Sequence, residues 1–158
     1  MISNMHIKIE HLSNHIDSIP TLAKILHSGL GKWFVETSAK EIESWFYEWL
    51  KDDIPSAYIA LIDNIPVGLC SLQLNDGICP ELSPWLGDLC VELSYQNLGI
   101  GRLLIDATKN KAKELGYEKL YLFSPDPMIH KYYAKLGWQI IGIDTYNDHP
   151  VTVMSILL

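Results

Sequence analysis

Between the apolar run Trp85–Val91 and an amphipathic stretch opening at Ile100 lies Gln96-Asn97-Leu98-Gly99-Ile100-Gly101, the junction that most constrains how this chain can fold. The run before it, Trp85-Leu86-Gly87-Asp88-Leu89-Cys90-Val91, reads as a buried strand with one carboxylate in it. After it, Ile100, Leu103, Leu104, Ala107 and Leu115 recur at helical spacing. A helix start leaves backbone N–H groups unpaired and carries the positive end of the helix dipole. A glycine-containing entry lets an anion approach those donors closely. The junction therefore reads as a cradle for a pyrophosphate. Arg102, the only arginine in the chain, stands in the first helical turn, where the dipole disfavours a cation unless an anion binds nearby. The competing reading is that Gly99 and Gly101 only shape a tight turn and Arg102 is solvated.

The rest of the chain alternates strands and helices in a mixed α/β order. His6 to Leu12 alternates as a first strand, and Asp17 or Ser18 can cap a helix carrying Leu22, Ile25 and Leu26, ended near Gly29. Ser38 followed by Glu41 has capping-box spacing, ahead of an apolar stripe of Ile42, Trp45, Phe46, Trp49 and Leu50. Tyr58 to Ile62 and Val67 to Leu74 read as a hairpin around Asp63-Asn64, with Pro66 and Gly68 interrupting regular pairing. Leu120 to Phe123 reads as a strand, Met128 to Leu136 as a helix closed by Gly137, and Trp138 to Asp144 and Val151 to Leu157 as a last pair of strands. Asn147-Asp148-His149-Pro150 marks the turn between those two.

A length of 158 residues fits one domain spanning 1–158. No segment approaches the ~18 to 20 apolar residues of a membrane span, and the amino terminus has no basic flank followed by an apolar run. The expectation is a cytoplasmic protein with no membrane partner. Three cysteines, Cys70, Cys79 and Cys90, and six histidines show no paired ligand spacing, so neither disulfides nor a metal is expected. A net charge of -7 disfavours nucleic acid and suits cationic partners better.

The pattern Gln96-x-x-Gly99-x-Gly101 resembles the acetyl-CoA signature Gln/Arg-x-x-Gly-x-Gly/Ala of the GNAT acetyltransferase superfamily. Leu89 to Tyr95 resembles the family's preceding strand and turn, with Leu93 where proline is frequent and Asn97 where glycine is. Tyr132-Tyr133-Ala134-Lys135-Leu136-Gly137-Trp138 resembles its aromatic-Tyr-x-x-x-Gly-aromatic ending. Two motifs at the expected separation are more specific than either alone, and the resemblance covers roughly residues 56 to 158. It implies a GNAT-like fold: a mostly antiparallel twisted sheet flanked by about four helices and splayed where acetyl-CoA enters as co-substrate.

The resemblance also implies acetyl transfer to an amine by direct attack. The ammonium must lose a proton, the oxyanion must be stabilised, and the leaving thiolate benefits from a proton. Tyr133 would donate to that thiolate; the alternative is an aromatic residue packed on its helix. Asp88 is the first candidate for the base and Glu81 the second, while a structural carboxylate bonded to a neighbouring strand is the other reading of Asp88. In some relatives a glutamate stands where this chain has Trp85, which could instead line the acceptor pocket. Backbone groups of Leu89, Cys90 and Val91 would pair with pantetheine as an added strand. Gln96, Asn97, Leu98, Gly99, Ile100, Gly101 and Arg102 would take the pyrophosphate. Asp126 falls on the opposite wall, where many relatives have asparagine.

Trp33, Phe34, Trp45, Trp49 and Tyr146 lie on the elements that usually build the acceptor pocket. A small-molecule amine is the first acceptor class, with a peptide or protein amine as the alternative and a non-catalytic acyl-CoA sensor as a different class. ATP binding by the glycine loop is disfavoured because no Gly-Lys-Ser/Thr follows. An exposed hairpin edge or aromatic helix could support a homodimer.

Overall fold

The computed structural model describes residues 6–30 and 36–158. Trp33 and Phe34 lie outside the described residues. The elements are β1 (Ile7–His11), α1 (Ile19–Leu30), α2 (Ala39–Phe46), β2 (Ser56–Ile62), β3 (Ile65–Gln73), β4 (Trp85–Val91), α3 (Ile100–Glu114), β5 (Lys119–Ser124), α4 (Pro127–Lys135), β6 (Gln139–Tyr146) and β7 (His149–Leu157). The strands form one seven-stranded sheet in the order β1-β2-β3-β4-β5-β7-β6. Every neighbouring pair is antiparallel except β4 and β5. This is the expected α/β architecture, a mixed open sheet with four helices.

Local chemistry sets several of these boundaries. The Ser38 side chain accepts a bond from the Glu41 backbone N–H at 3.1 Å, which starts α2 with one orphan donor satisfied. Asp63 and Asn64 join β2 to β3 with φ of 50° and 67°, and Asn147 and Asp148 join β6 to β7 with φ of 48° and 64°. Left-handed backbone at both turn residues matches the twist of the flanking strands, and Asn and Asp tolerate it. The second turn is therefore shorter than the sequence suggests, and His149 and Pro150 already belong to β7.

The sheet carries helices on both faces. On one face α1 and α2 bury Leu22, Leu26, Ile42 and Phe46 against Ile59, Leu61, Leu69 and Cys90. On the other, α3 sets Ile100, Leu104, Ile105 and Ala112 against Ala60, Val67, Cys70 and Leu72, and α4 brings Tyr133 to the same cluster. The buried stripe of α3 is displaced from the expected one, because Leu103 is 41% exposed while Ile105 and Thr108 are buried. A third cluster, Ile78, Trp85, Val151 and Val153, lies beneath the segment joining β3 to β4.

Candidate active site

The cleft begins where β4 and β5 part. These parallel strands share one ladder pair, Trp85 with Tyr121, and none beyond it. Past that point the side of β4 facing β5 has backbone donors and acceptors without a ladder partner, the prerequisite for pairing with an extended ligand. A bulge adds to the opening. Ser71 pairs with Gly87 and Leu69 with Cys90, so Asp88 and Leu89 both stand opposite Cys70. Asp88 has φ of 54°, a left-handed conformation that costs most non-glycine residues about 1–2 kcal/mol and is eased for Asp by its short polar side chain.

Two side chains of β3 hold the Asp88 carboxylate. Ser71 Oγ and Gln73 Nε2 each donate to Oδ2 at 2.9 Å, and Gln73 Nε2 also donates to Ser71 Oγ at 3.0 Å. Burial pushes the Asp88 carboxyl above its ordinary range, and the two donors act in the opposite direction. Asp76 stands next to it. Burial, with the charge of Asp88 as the second cause, drives the Asp76 carboxyl well above its ordinary value. A side chain at Gly87 would come within 3.1 Å of Asp76 Oδ2 and 3.2 Å of Ser71 Oγ, so the absence of a Cβ there makes room for the carboxylate.

The cleft has a volume of about 470 Å3, and Asp76, Asp88, Asp126, Tyr133, Tyr146 and His149 line it. No lysine or arginine is among the described lining residues. Tyr133 is 6% exposed, and its ring meets those of Tyr132 and Trp138 edge to face. Burial raises its phenol above the usual value, so the hydroxyl stays protonated at neutral pH and is a donor.

At the start of α3, Asn97 and Gly99 have φ of 64° and 84°, and no side chain caps the helix at Gly99. The N–H groups of its first turn are thus left for an outside acceptor. The Tyr132 hydroxyl lies 3.5 Å from where a Cβ at Gly101 would be, which places α4 beside this helix start. Arg102 is exposed and close enough to Tyr132 to counter part of the burial-driven rise of its phenol.

Of the residues singled out from the sequence, Asp88, Leu89, Gln96, Asp126 and Tyr133 line the cleft. Gln96 directs its side-chain amide to the Val91 carbonyl at 3.0 Å, so it ties the loop to the end of β4. Asp126 accepts from the Met128 N–H at 2.9 Å and caps α4. Cys90 points to the opposite face, where its thiol donates to the Ile25 carbonyl at 3.5 Å, leaving only its backbone for a ligand. Ile100 is buried in the core, while Val91, Asn97, Leu98, Gly99 and Gly101 are not among the cleft-lining residues.

Glu81 is exposed and is not among the lining residues of the cleft. Trp85 is not among the residues lining the cleft: it is fully buried, meets the ring of Tyr121 at a tilt and that of Phe123 edge to face, and donates its indole N–H to the Leu82 carbonyl at 2.7 Å. Trp49 is likewise core, whereas Tyr146 does reach the cleft.

A model of the Acetyltransferase (GNAT) family matches residues 20–138. The chain belongs to the GNAT acetyltransferase family. Among curated proteins this GNAT chain is similar to the tRNA uridine(34) acetyltransferase of Methanocaldococcus jannaschii, 29% identical over 104 residues; the match covers 61% of this chain. The chain spans about a fifth of that relative's length, the match covering 19% of it. A candidate streptothricin acetyltransferase from Bacillus anthracis str. Ames, solved with acetyl coenzyme A, is 26% identical with a TM-score of 0.62, over 72% of this chain and 68% of that one. An aminoglycoside 6'-N-acetyltransferase complexed with coenzyme A shares the fold at a TM-score of 0.75 and 19% identity, over 95% and 96% of the two chains.

The cleft of this GNAT chain thus lies beside the open edge of β4, with the buried Tyr133 phenol in its lining, and the uncapped start of α3 follows that strand in the chain. Among the described residues no group of three or more His, Cys, Asp and Glu is placed to hold a metal ion, and no helix is long and apolar enough to cross a membrane. Sequence reasoning missed Asp76, Ser71 and Gln73. Asp76 sits in Asn75-Asp76-Gly77, which reads as a plain turn, and only the fold of that segment carries it back over Gly87.

Proposed function

We propose that the protein carrying this domain moves an acetyl group from acetyl-CoA to a primary amine by direct attack, with a small molecule as acceptor. The observation that carries the reading is the meeting of Asp88 and Tyr133 in one cleft at the fork between β4 and β5. The thioester supplies an electrophilic carbonyl and a thiolate leaving group. Backbone groups of Leu89 to Val91 orient it along the free edge of β4, and the N–H groups at the start of α3 hold its pyrophosphate. Asp88 takes the proton that frees the attacking amine, directly or through water, and Tyr133 gives a proton to the sulfur. A cleft of about 470 Å3 with carboxylates and without lining lysine or arginine supports a compact cationic acceptor. The streptothricin and aminoglycoside in the names of two matched structures support the same class.

A thermal-shift series with acetyl-CoA, CoA, ATP and NAD tests the donor, since a ligand at about 100 times its Kd stabilises by ~2.7 kcal/mol. The expected result is a shift with the two CoA compounds only, followed by amine-dependent thiol release. A CoA shift without thiol release for any amine or peptide identifies a sensor instead, and no shift at all rejects the reading.

A further inference from the structure

The segment Gly77-Ile78-Cys79, between β3 and β4, is seated on one face of the β6–β7 hairpin. Asp144 and Tyr146 are two apart on β6, and Asp144 pairs with Val151 on β7, so their side chains share a face with Val151 and Val153. Each residue of the segment meets that face. A Cβ at Gly77 would come within 2.9 Å of Tyr146 Cε2, Ile78 is buried in a cluster with Val151 and Val153, and the Cys79 thiol donates to Asp144 Oδ2 at 3.1 Å. Gly77 and Cys79 have φ of 95° and 44°. Left-handed backbone at a cysteine persists only where surrounding contacts hold it.

The segment also reaches the opposite wall of the cleft. Asp76, directly before it, lies against Gly87 of β4, and the Asn75 side chain accepts the Gly77 N–H at 2.8 Å. Both Asp76 and Tyr146 line the cleft. We propose that Gly77 and Cys79 are positioning residues: they seat the face of β6 so that the Tyr146 ring forms a fixed wall of the cleft and leaves room for the amine beside Asp88. The room for the amine rests on the transferase reading, and the seating does not.

Cys79 acts here as a hydrogen-bond donor and not as a nucleophile. The bond to Asp144 is the largest cause that pushes the Cys79 thiol up to about 11, and the same bond is the first cause that holds the Asp144 carboxyl below its ordinary value. Both shifts favour a neutral thiol on an ionised carboxylate, whereas the reactive form of a cysteine is the thiolate. Tyr146 needs the support. It ends β6, which stands at the edge of the sheet beside β7, so among the described residues no strand flanks it on the outer side. Its ring packs with Phe123, centroids 5.0 Å apart, and a side chain at Gly77 would force the ring to move.

The test follows the tyrosine ring signals of the full chain by 1H–13C NMR, with Tyr146 assigned through Tyr146→Phe. Gly77→Ala and Cys79→Ala are expected to shift the Tyr146 signal and to leave that of Tyr133 in place, while Cys79→Ser, which keeps a donor for Asp144, returns it to the wild-type position. Calorimetry then compares acetyl-CoA with a bisubstrate in which coenzyme A is joined through its sulfur and a methylene carbonyl to one nitrogen of 1,4-diaminobutane. Gly77→Ala should weaken the bisubstrate about tenfold and Cys79→Ala about threefold, with the Kd of acetyl-CoA unchanged and Cys79→Ser close to the wild type. A Tyr146 signal that stays in place in Cys79→Ala overturns the seating, and this variant decides alone if Gly77→Ala does not fold. A signal that moves while both compounds weaken by the same factor, or neither weakens, overturns the role toward the amine. A wild-type chain that does not bind acetyl-CoA overturns the transferase reading and that role with it, and the ring signals still judge the seating.

Discussion

The hydroxyl of Ser71 donates to Oδ2 of Asp88 at 2.9 Å and so fastens the bulge of β4 to the middle of β3. Ser71 is fully buried, and its hydrogen bond favours the ionised form of Asp88 against the burial that opposes it. Ser71→Ala removes one of two donors. The Asp88 carboxyl then moves further up, and the acidic limb of the kcat/KM profile shifts to higher pH. Stability should fall by about 1 kcal/mol, the usual loss for one such bond. A profile that keeps its acidic limb in place argues that Asp88 is not the titrating base.

Removing only the hydroxyl of Tyr133 leaves its ring contacts with Tyr132 and Trp138 intact. Tyr133→Phe should therefore melt within a few degrees of the wild type and lose turnover by about 100-fold, the lower range for loss of a positioned acid. Steady-state kcat with saturating acetyl-CoA is the measurement. A kcat equal to that of the wild type assigns the ring to packing alone.

The neighbouring carboxyls of Asp76 and Asp88 make folded stability depend on pH. Both carboxyls are raised on folding, so between the ordinary carboxyl value and the raised one the folded chain holds more protons than the unfolded chain. Stability consequently falls as pH rises through that window. Asp76→Asn removes one member and should raise Tm at pH 8 while giving no comparable gain near pH 4. Equal shifts at both pH values in a melting series would show that the charge of Asp76 is unimportant.

Helix α1 approaches β4 closely enough that a Cβ on Gly29 would overlap Cys90 Sγ. Cys90 is buried and bonded to the Ile25 carbonyl, so it has little freedom to retreat. Gly29→Ala should destabilise by about 1–3 kcal/mol, the range for an overpacked core. Adding Cys90→Ala should recover most of that loss in denaturant titrations. Independent, additive losses would place the strain elsewhere.

Much of the site was legible in the chain itself. Gly99 at left-handed φ, the uncapped start of α3, Asp88 alone in an apolar strand and the Tyr133 to Gly137 spacing are all local features, and local features survive in a one-dimensional pattern. The phase of the α3 stripe was less so. Leu103 and Ile105 are equally apolar, and which of them faces the sheet depends on how the helix is rotated against it.

The sequence by itself determined the order of elements, the hairpin turn at Asp63-Asn64 and the glycine entry to α3, because each follows from the backbone preferences of a few adjacent residues. Tertiary structure alone decided that Trp85 belongs to the core, that Glu81 stays outside the cleft, and that Asp76 returns to face Asp88. Those three depend on how strands far apart in sequence pair and where a bulge bends one of them, and no short-range preference records that pairing.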